Sequence, residues 1–140
     1  MRGTVDLLED GMAEKALNDK ARELFDGTNF VTVATLNPDG GPQASPVWAK
    51  VDGDEIVFST VKGLRKHSNL LRDPRVNLTT YDMADPYSYA EVRGTATIED
   101  DPEAELIEEL SQKYTGGPWR PQGPEERVIV RVTPSYVHTR

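Results

Sequence analysis

The chain contains no cysteine, which removes disulfides, thiolate nucleophiles and thiolate metal sites. Histidine is nearly as scarce: His67 and His138 stand far apart, without a carboxylate at metal-ligand spacing, so no metal centre is expected. There is no G-x-S-x-G elbow to place a serine nucleophile. No apolar run approaches the length of a membrane span, and the opening MRGTVDLLED lacks the apolar core of a signal peptide, so the expectation is a cytoplasmic protein with no membrane contact. Positive charge is in deficit: 16 Lys and Arg face 24 Asp and Glu, for a net charge of −8. Duplex nucleic acid is therefore not an expected partner.

What remains is a chain of 140 residues with 36% hydrophobic and 29% charged residues. That suits one soluble domain with a single core and leaves no room for separate cofactor and substrate domains. An active site must share that core or be completed by a second subunit. The charge is unevenly spread. Seven carboxylates lie between Glu99 and Glu109, whereas Thr60 to Arg75 carries Lys62, Arg65, Lys66, Arg72 and Arg75 against Asp73 alone. Such a positive island suits a small anionic ligand.

Residues 1–17 lack strong periodicity and read as a mobile N-terminal arm. Asn18 to Phe25 reads as a short helix with Asn18 as N-cap, an apolar stripe of Ala21, Leu24 and Phe25, and Gly27 as the stop. Phe30 to Leu36 alternates as a strand, Asn37 to Gly41 supplies turn residues, and Pro42 to Val51 is the return strand. Pro46 removes a ladder donor there, which predicts an edge or a bulge and leaves backbone groups free for a ligand. Further strands are expected at Glu55–Thr60, Arg75–Tyr81, Tyr87–Ile98 and Arg127–Val132, the last followed by a short extended tail. Gly63–Asp73 reads as a helix. A second helix runs to Tyr114 from Asp101 as N-cap and Pro102 as its first residue, with Glu103, Ile107, Leu110 and Tyr114 on one side. Six or seven strands without βαβ alternation predict a mainly β fold, mostly antiparallel and closed as a barrel with short flanking helices.

The strongest local constellation is Ser59-Thr60-Val61-Lys62-Gly63-Leu64-Arg65-Lys66, a strand end passing through glycine into a helix start. Free N–H groups, two hydroxyls and cations there make a phosphate cradle, although the Walker spacing is absent. The competing reading is a solvated basic helix with a Ser-Thr cap. Trp48, Tyr81, Tyr87, Tyr89 and Trp119 are candidates to stack on a planar ring, against the simpler reading of core or interface aromatics. Arg127 and Arg131 alternate on a strand and read as surface or interface charge.

Three runs together resemble a known family. They are A-T-x-x-x-D-G-x-P-Q-x-S-P-V-W from Ala34, D-G-D-x-I-x-F-S-T-x-x-G-x-x-K-x-x-N-L-x-x-D-P-R-V from Asp52, and P-Y-x-Y-x-E-V-R-G-x-A from Pro86. The pattern is similar to the split-β-barrel flavin-binding superfamily of pyridoxamine 5'-phosphate oxidase, of FMN-binding split-barrel type, and most resembles its actinobacterial branch that uses the deazaflavin coenzyme F420. The resemblance implies a homodimer with the cofactor at the subunit interface. It implies that Ser59, Thr60 and Lys66 hold the cofactor phosphate, with Asn69 supporting the helix start. Gln43, Ser45, Pro46, Val47 and Trp48 would line the ring, and Tyr87 and Tyr89 would approach from the partner chain. Some relatives have arginine where this chain has Leu64, and Arg65 or Lys62 is expected in its place. The implied chemistry is hydride transfer from reduced F420 to a small conjugated organic substrate. The alternatives are an FMN-dependent oxidase or reductase and a non-catalytic carrier of the cofactor.

Overall fold

The computed structural model describes residues 14–140. Helix α1 spans Asp19–Asp26, started by the Asn18 carboxamide oxygen, which accepts the Ala21 N–H at 2.8 Å. Its stripe of Ala21, Leu24 and Phe25 is buried as the spacing requires. Gly27 closes the helix through its N–H to Glu23 O at 3.0 Å. The arm expected up to residue 17 is docked at its described end, because Glu14 exchanges backbone hydrogen bonds with Val137 at 3.1 and 2.6 Å and Leu17 is buried. The rest of that expectation lies outside the described residues.

Strand β1 (Val31–Leu36) turns back through Asn37–Gly41, where Gly40 takes φ +86°. The return run is not one strand. It divides into β2 (Pro42–Val47), which pairs with β1, and β3 (Ala49–Asp52), which pairs with β4 (Glu55–Val61). Helix α2 (Arg65–Arg72) leads into β5 (Arg75–Asp82) and β6 (Asp85–Asp100). Helix α3 (Glu105–Thr115) and strand β7 (Arg127–Thr139) complete the described elements.

The seven strands form one antiparallel sheet in the order β2-β1-β5-β6-β7-β4-β3. Its two edge strands, β2 and β3, are consecutive in the chain and separated only by Trp48. The sheet must therefore curl until its edges meet at that residue, although no ladder closes it. This is a split barrel. Pro46 sits on edge strand β2, as a residue without an N–H donor should.

Strand β7 runs further than expected, taking in the predicted tail, and pairs with β6 through a register shift at Arg93/Gly94. Pro134 lies opposite Gly94 there, so the bulge absorbs the proline. Gly94 has no substitute at this point, because a Cβ would stand 2.3 Å from Thr133 O. The start of α3 also differs from expectation. Ala104 is the N-cap, in the left-handed region, and Pro102 lies in the turn before it. Asp101 still caps, but from further back: its carboxylate accepts the N–H groups of Glu105 and Leu106 at 3.1 and 3.0 Å. The buried stripe is accordingly Leu106, Ile107 and Leu110, while Glu103 is exposed.

The main core lies inside the curl and includes Phe25, Val31, Ile56, Phe58, Leu78, Val92 and Val132. Each such side chain contributes roughly 1.5–3 kcal/mol by leaving water. A second cluster of Val57, Leu106 and Leu110 packs α3 onto the other face of β4, against Trp48, Tyr114 and Ile129. Strand β4 is thus buried on both faces, which is why Ile56 through Thr60 is buried without alternation. Among the described residues no helix is long and apolar enough to cross a membrane, and no group of three acidic or histidine side chains could hold a metal.

Candidate functional site

The end of β4 is where the two faces of that strand open onto one cleft. By alternation Ser59 shares a face with Val57, toward α3, and Thr60 shares the barrel face with Phe58. Both hydroxyl residues line a cleft of about 300 Å³ together with Phe30, Pro46, Val47, Trp48, Lys66 and Arg127. Leu64, Ile107 and Trp119 are also in its wall.

Part of the cleft wall is aromatic. Trp48, held where the barrel splits, stacks on Tyr114 at 5.4 Å between centroids and meets Trp119 edge-on at 6.1 Å. Tyr114 is fixed from behind: its hydroxyl donates to Asn29 O at 2.7 Å and accepts the Ala49 N–H at 3.2 Å. Burial pushes its ionisation above the ordinary phenol value. The neighbouring Lys113 ammonium donates to Phe25 O and Ala49 O at 3.2 and 2.6 Å, and burial lowers its pKa. These bonds tie α3 to α1 and β3, and so fix the Trp48 wall.

The cations of the wall adjoin these rings. Lys66 has no hydrogen bond or ion pair to any described residue, and its pKa is lowered, first by burial and then by the Arg127 charge. Arg127 reaches the cleft because β7 pairs with β4 in a register that sets Ile129 opposite Ser59. Two residues earlier on the same face, its guanidinium donates to Ser59 Oγ at 3.4 Å. Glu125 grips that guanidinium from behind through Nε at 3.1 Å and Nη2 at 3.0 Å, the two side chains being 10% and 19% exposed. Glu125 also accepts the Trp119 indole N–H at 2.9 Å, and Arg127 lies 4.7 Å over the Trp119 ring. Hydrogen bonding from Arg127 holds the Glu125 carboxyl below its ordinary pKa.

A larger cavity of about 390 Å³ opens over β1, β5 and β6, but both its cations are engaged. Arg75 pairs with Asp73 at 2.7 Å, and Arg93 with Glu91 at 3.4 Å and with the Tyr136 ring. The smaller cleft alone of the two combines an unpaired cation, hydroxyls and an aromatic wall.

Several expected site residues meet there: Pro46, Val47, Trp48, Ser59, Thr60 and Lys66. Others stand elsewhere. Gln43 approaches Thr35 at 3.5 Å, and Ser45 Oγ is buried without a partner, both on the inward side of β2. Asn69 is fully buried and donates to Thr35 Oγ1 and Asn37 Oδ1 at 3.0 and 3.1 Å. It therefore ties the second turn of α2 to the end of β1, whereas the turn entering the helix is braced by His67, whose Nδ1 accepts the Gly63 N–H at 3.2 Å. Arg65 is exposed and outside the cleft wall. Lys62 is drawn away to Asp100 and Glu126 at 3.0 and 3.6 Å and is not in the cleft wall. Tyr89 packs on His138 at 5.8 Å, and Tyr87 is 84% exposed beside the β5–β6 turn.

The sequence pattern of the family described as pyridoxamine 5'-phosphate oxidase matches residues 17–140. The chain belongs to that family. A member of this family is a split barrel of the type that binds flavins such as FMN, and the cleft lies at the split. Among solved structures, one named F420 reductase is similar at 29% identity and TM-score 0.79, over 86% of this chain and 98% of that one. The conserved hypothetical protein Rv2991 of Mycobacterium tuberculosis is 27% identical, TM-score 0.71, over 89% and 86% of the two chains. General stress protein 26 of Bacillus anthracis shares the fold at 19% identity and TM-score 0.67, over 86% and 91%.

Arg127, read from the sequence as surface or interface charge, is a nearly buried part of the cleft wall. The signal was its alternation with Ile129 on one face, but only the β4–β7 pairing says what that face meets. Phe30 and Ile107 carried no signal beyond their hydrophobicity.

Proposed function

We propose that this member of the pyridoxamine 5'-phosphate oxidase family is an oxidoreductase that uses the deazaflavin F420 and reduces a small conjugated organic substrate. The observation that carries this reading is the convergence of the unpaired Lys66 with Arg127, Ser59 and Thr60 in the wall of one cleft that also holds the aromatic rings of Trp48 and Trp119. The site fits such a cofactor in kind. A charged group at half-buried Lys66 calls for an anion, and the flat walls of Trp48 and Trp119 suit a planar ring. When bound, reduced deazaflavin supplies a hydride at its C5 to an electrophilic carbon. The residues here bind and orient: Lys66 and Arg127 hold the phosphate, Ser59 and Thr60 offer hydroxyl donors, and edge strand β2 presents backbone groups left free of a ladder. Trp48, braced by Tyr114, excludes water from one side of the ring.

The similarity to the structure named F420 reductase supports F420. The family match keeps FMN as the second reading. A parallel equilibrium titration of the purified protein with F420 and FMN tests the choice: tighter F420 binding, followed by turnover of a conjugated substrate, is the expected result. Tighter FMN binding moves the protein to the flavin reading, and binding without turnover of any acceptor leaves a carrier.

The reading extends to a homodimer. Tyr81, Met83 and Tyr87 are exposed together around the β5–β6 turn, which on this proposal reaches the cleft of a second copy. Sedimentation equilibrium should give twice the monomer mass, and a monomer at micromolar concentration would remove this part of the proposal.

A further inference from the structure

The cationic part of the cleft wall contains fewer uncompensated charges than its two cations suggest. Lys66 and Arg127 are the charged residues in the wall. Arg127 is matched by Glu125 across two hydrogen bonds, in a pair only 10% and 19% exposed. Lys66 alone has no counter-ion among the described residues. The neighbouring Lys62 is already satisfied by Asp100 and Glu126, and Arg65 points into water outside the wall. The N-terminus of α2 adds roughly half a unit of positive charge, so the total stays short of two.

Resting on the phosphate-site reading above, we propose that Glu125 sets the charge this subsite accepts. It makes the subsite a receptor for a monoanionic phosphodiester and disfavours a dianionic phosphomonoester. Attraction to the site grows linearly with ligand charge, whereas the cost of leaving water grows with its square. A site whose spare positive charge falls short of two therefore favours a monoanion over a dianion. A second negative charge would lie near the Glu125 carboxylate with only Arg127 between them. Glu125 is not free to swing aside, because it holds three donors at once, two from Arg127 and the Trp119 indole N–H. Its pKa is held down by those bonds, so it keeps its charge at neutral pH. It touches no cofactor atom on this account; it is a positioning and specificity-determining residue acting through Arg127.

The test compares FMN with its phosphate monomethyl ester, which has the same ring and ribityl chain and one charge fewer at neutral pH. Riboflavin serves as the uncharged control. Binding is read from quenching of ligand fluorescence at pH about 7.5 and about 5.5, on either side of the second phosphate ionisation near 6. The native protein should bind the ester about tenfold more tightly than FMN at the higher pH, with the gap narrowing at the lower. The ester keeps one charge at both values, so it controls for any pH effect on the protein itself. In Glu125→Gln, FMN should gain about tenfold at the higher pH while the ester changes little. Glu125→Asp, which keeps the charge, should retain the ester preference. The inference is overturned if native protein prefers FMN, or if Glu125→Gln weakens both ligands alike, since that is what a mere brace for Arg127 would do. Riboflavin binding as tightly as both phosphates would overturn the phosphate site itself, a result distinct from either.

Discussion

Arg127 and Arg131 stand four residues apart on one face of β7, and the chain uses them in opposite ways. Arg131 lies on the surface among three carboxylates, bonded to Asp52 at 2.7 Å and Glu99 at 2.8 Å, with Glu55 at 3.6 Å. Its protonated form is reinforced well beyond the ordinary guanidinium value, chiefly by the bond to Asp52. Arg127 has one carboxylate, lies under an indole ring and is nearly buried. With more negative partners than it needs, Arg131 clasps the β3–β4 hairpin to β6. Arg127 keeps one Nη directed at Ser59 and the cleft, and because its side chain is only 10% exposed its charge is screened less than that of Arg131. Arginine count alone therefore says little about anion binding; the number and burial of the carboxylates around each one decide it.

The largest effect expected is on ligand binding at the buried end of the ladder. Arg127→Ala should weaken binding of the anionic cofactor by about 2–3 kcal/mol, the worth of a charge-assisted bond in a sheltered site. Arg131→Ala in the same titration should leave the affinity unchanged. Equal losses in the two variants would erase the contrast.

Lys66→Ala should cost about 1.5–3 kcal/mol of cofactor affinity. Because Lys66 is penalised by burial and by the Arg127 charge when the cleft holds no anion, its removal should not lower thermal stability. A variant that loses stability as much as affinity would show that Lys66 supports the fold.

Trp119→Ala removes the ring over Arg127 and the indole donor to Glu125. The expected loss is about 1 kcal/mol of stability in urea titration, together with quenching changes that report ligand entry from Trp48 alone. An unaltered ligand response would place the binding event away from this wall.

The smallest effects belong to the exposed end. Arg131→Ala should lower stability by about 1 kcal/mol or less, and the loss should shrink in high salt. Asp52, its strongest partner, has its pKa lowered by this arginine, so the stabilisation is present above the ordinary carboxylate value and lost as the pH falls through the folded-state value. The same sign holds for Asp73, lowered to about 2 by Arg75. Acid unfolding of Arg131→Ala should thus show a shallower dependence on pH below about 4 than the native protein. An unchanged acid limb would mean the network adds nothing beyond geometry.

Much of the fold is legible where a single side chain has a local physical consequence. Asn18 must cap because its carboxamide reaches the third N–H along, and Pro46 must sit at an edge because it has no donor to give. The same logic located Ser59, Thr60 and Lys66, which are neighbours in the chain as well as in the cleft. It failed where the consequence depended on a distant partner. The break at Trp48 was invisible because Val47 and Ala49 both suit a strand, and only their assignment to opposite sheet edges separates them. The extent of β7 beyond Val132 depends on a distant residue, because Gly94 on the facing strand provides the bulge that accepts Pro134. Asp101 was correctly identified as a cap but given the wrong distance, since a left-handed Ala104 inserts a turn between it and α3.

The sequence by itself determined the antiparallel β class, the start of α1 and the hydroxyl-to-lysine part of the cleft, because helix caps, turns and alternation act over a few residues. Tertiary structure alone decided that β4 and β7 are neighbours. That pairing brings Arg127, with Glu125 behind it and Trp119 above, to a lysine some sixty residues earlier in the chain. Charge at the site is a sum over groups that meet only in space, and no local pattern contains it.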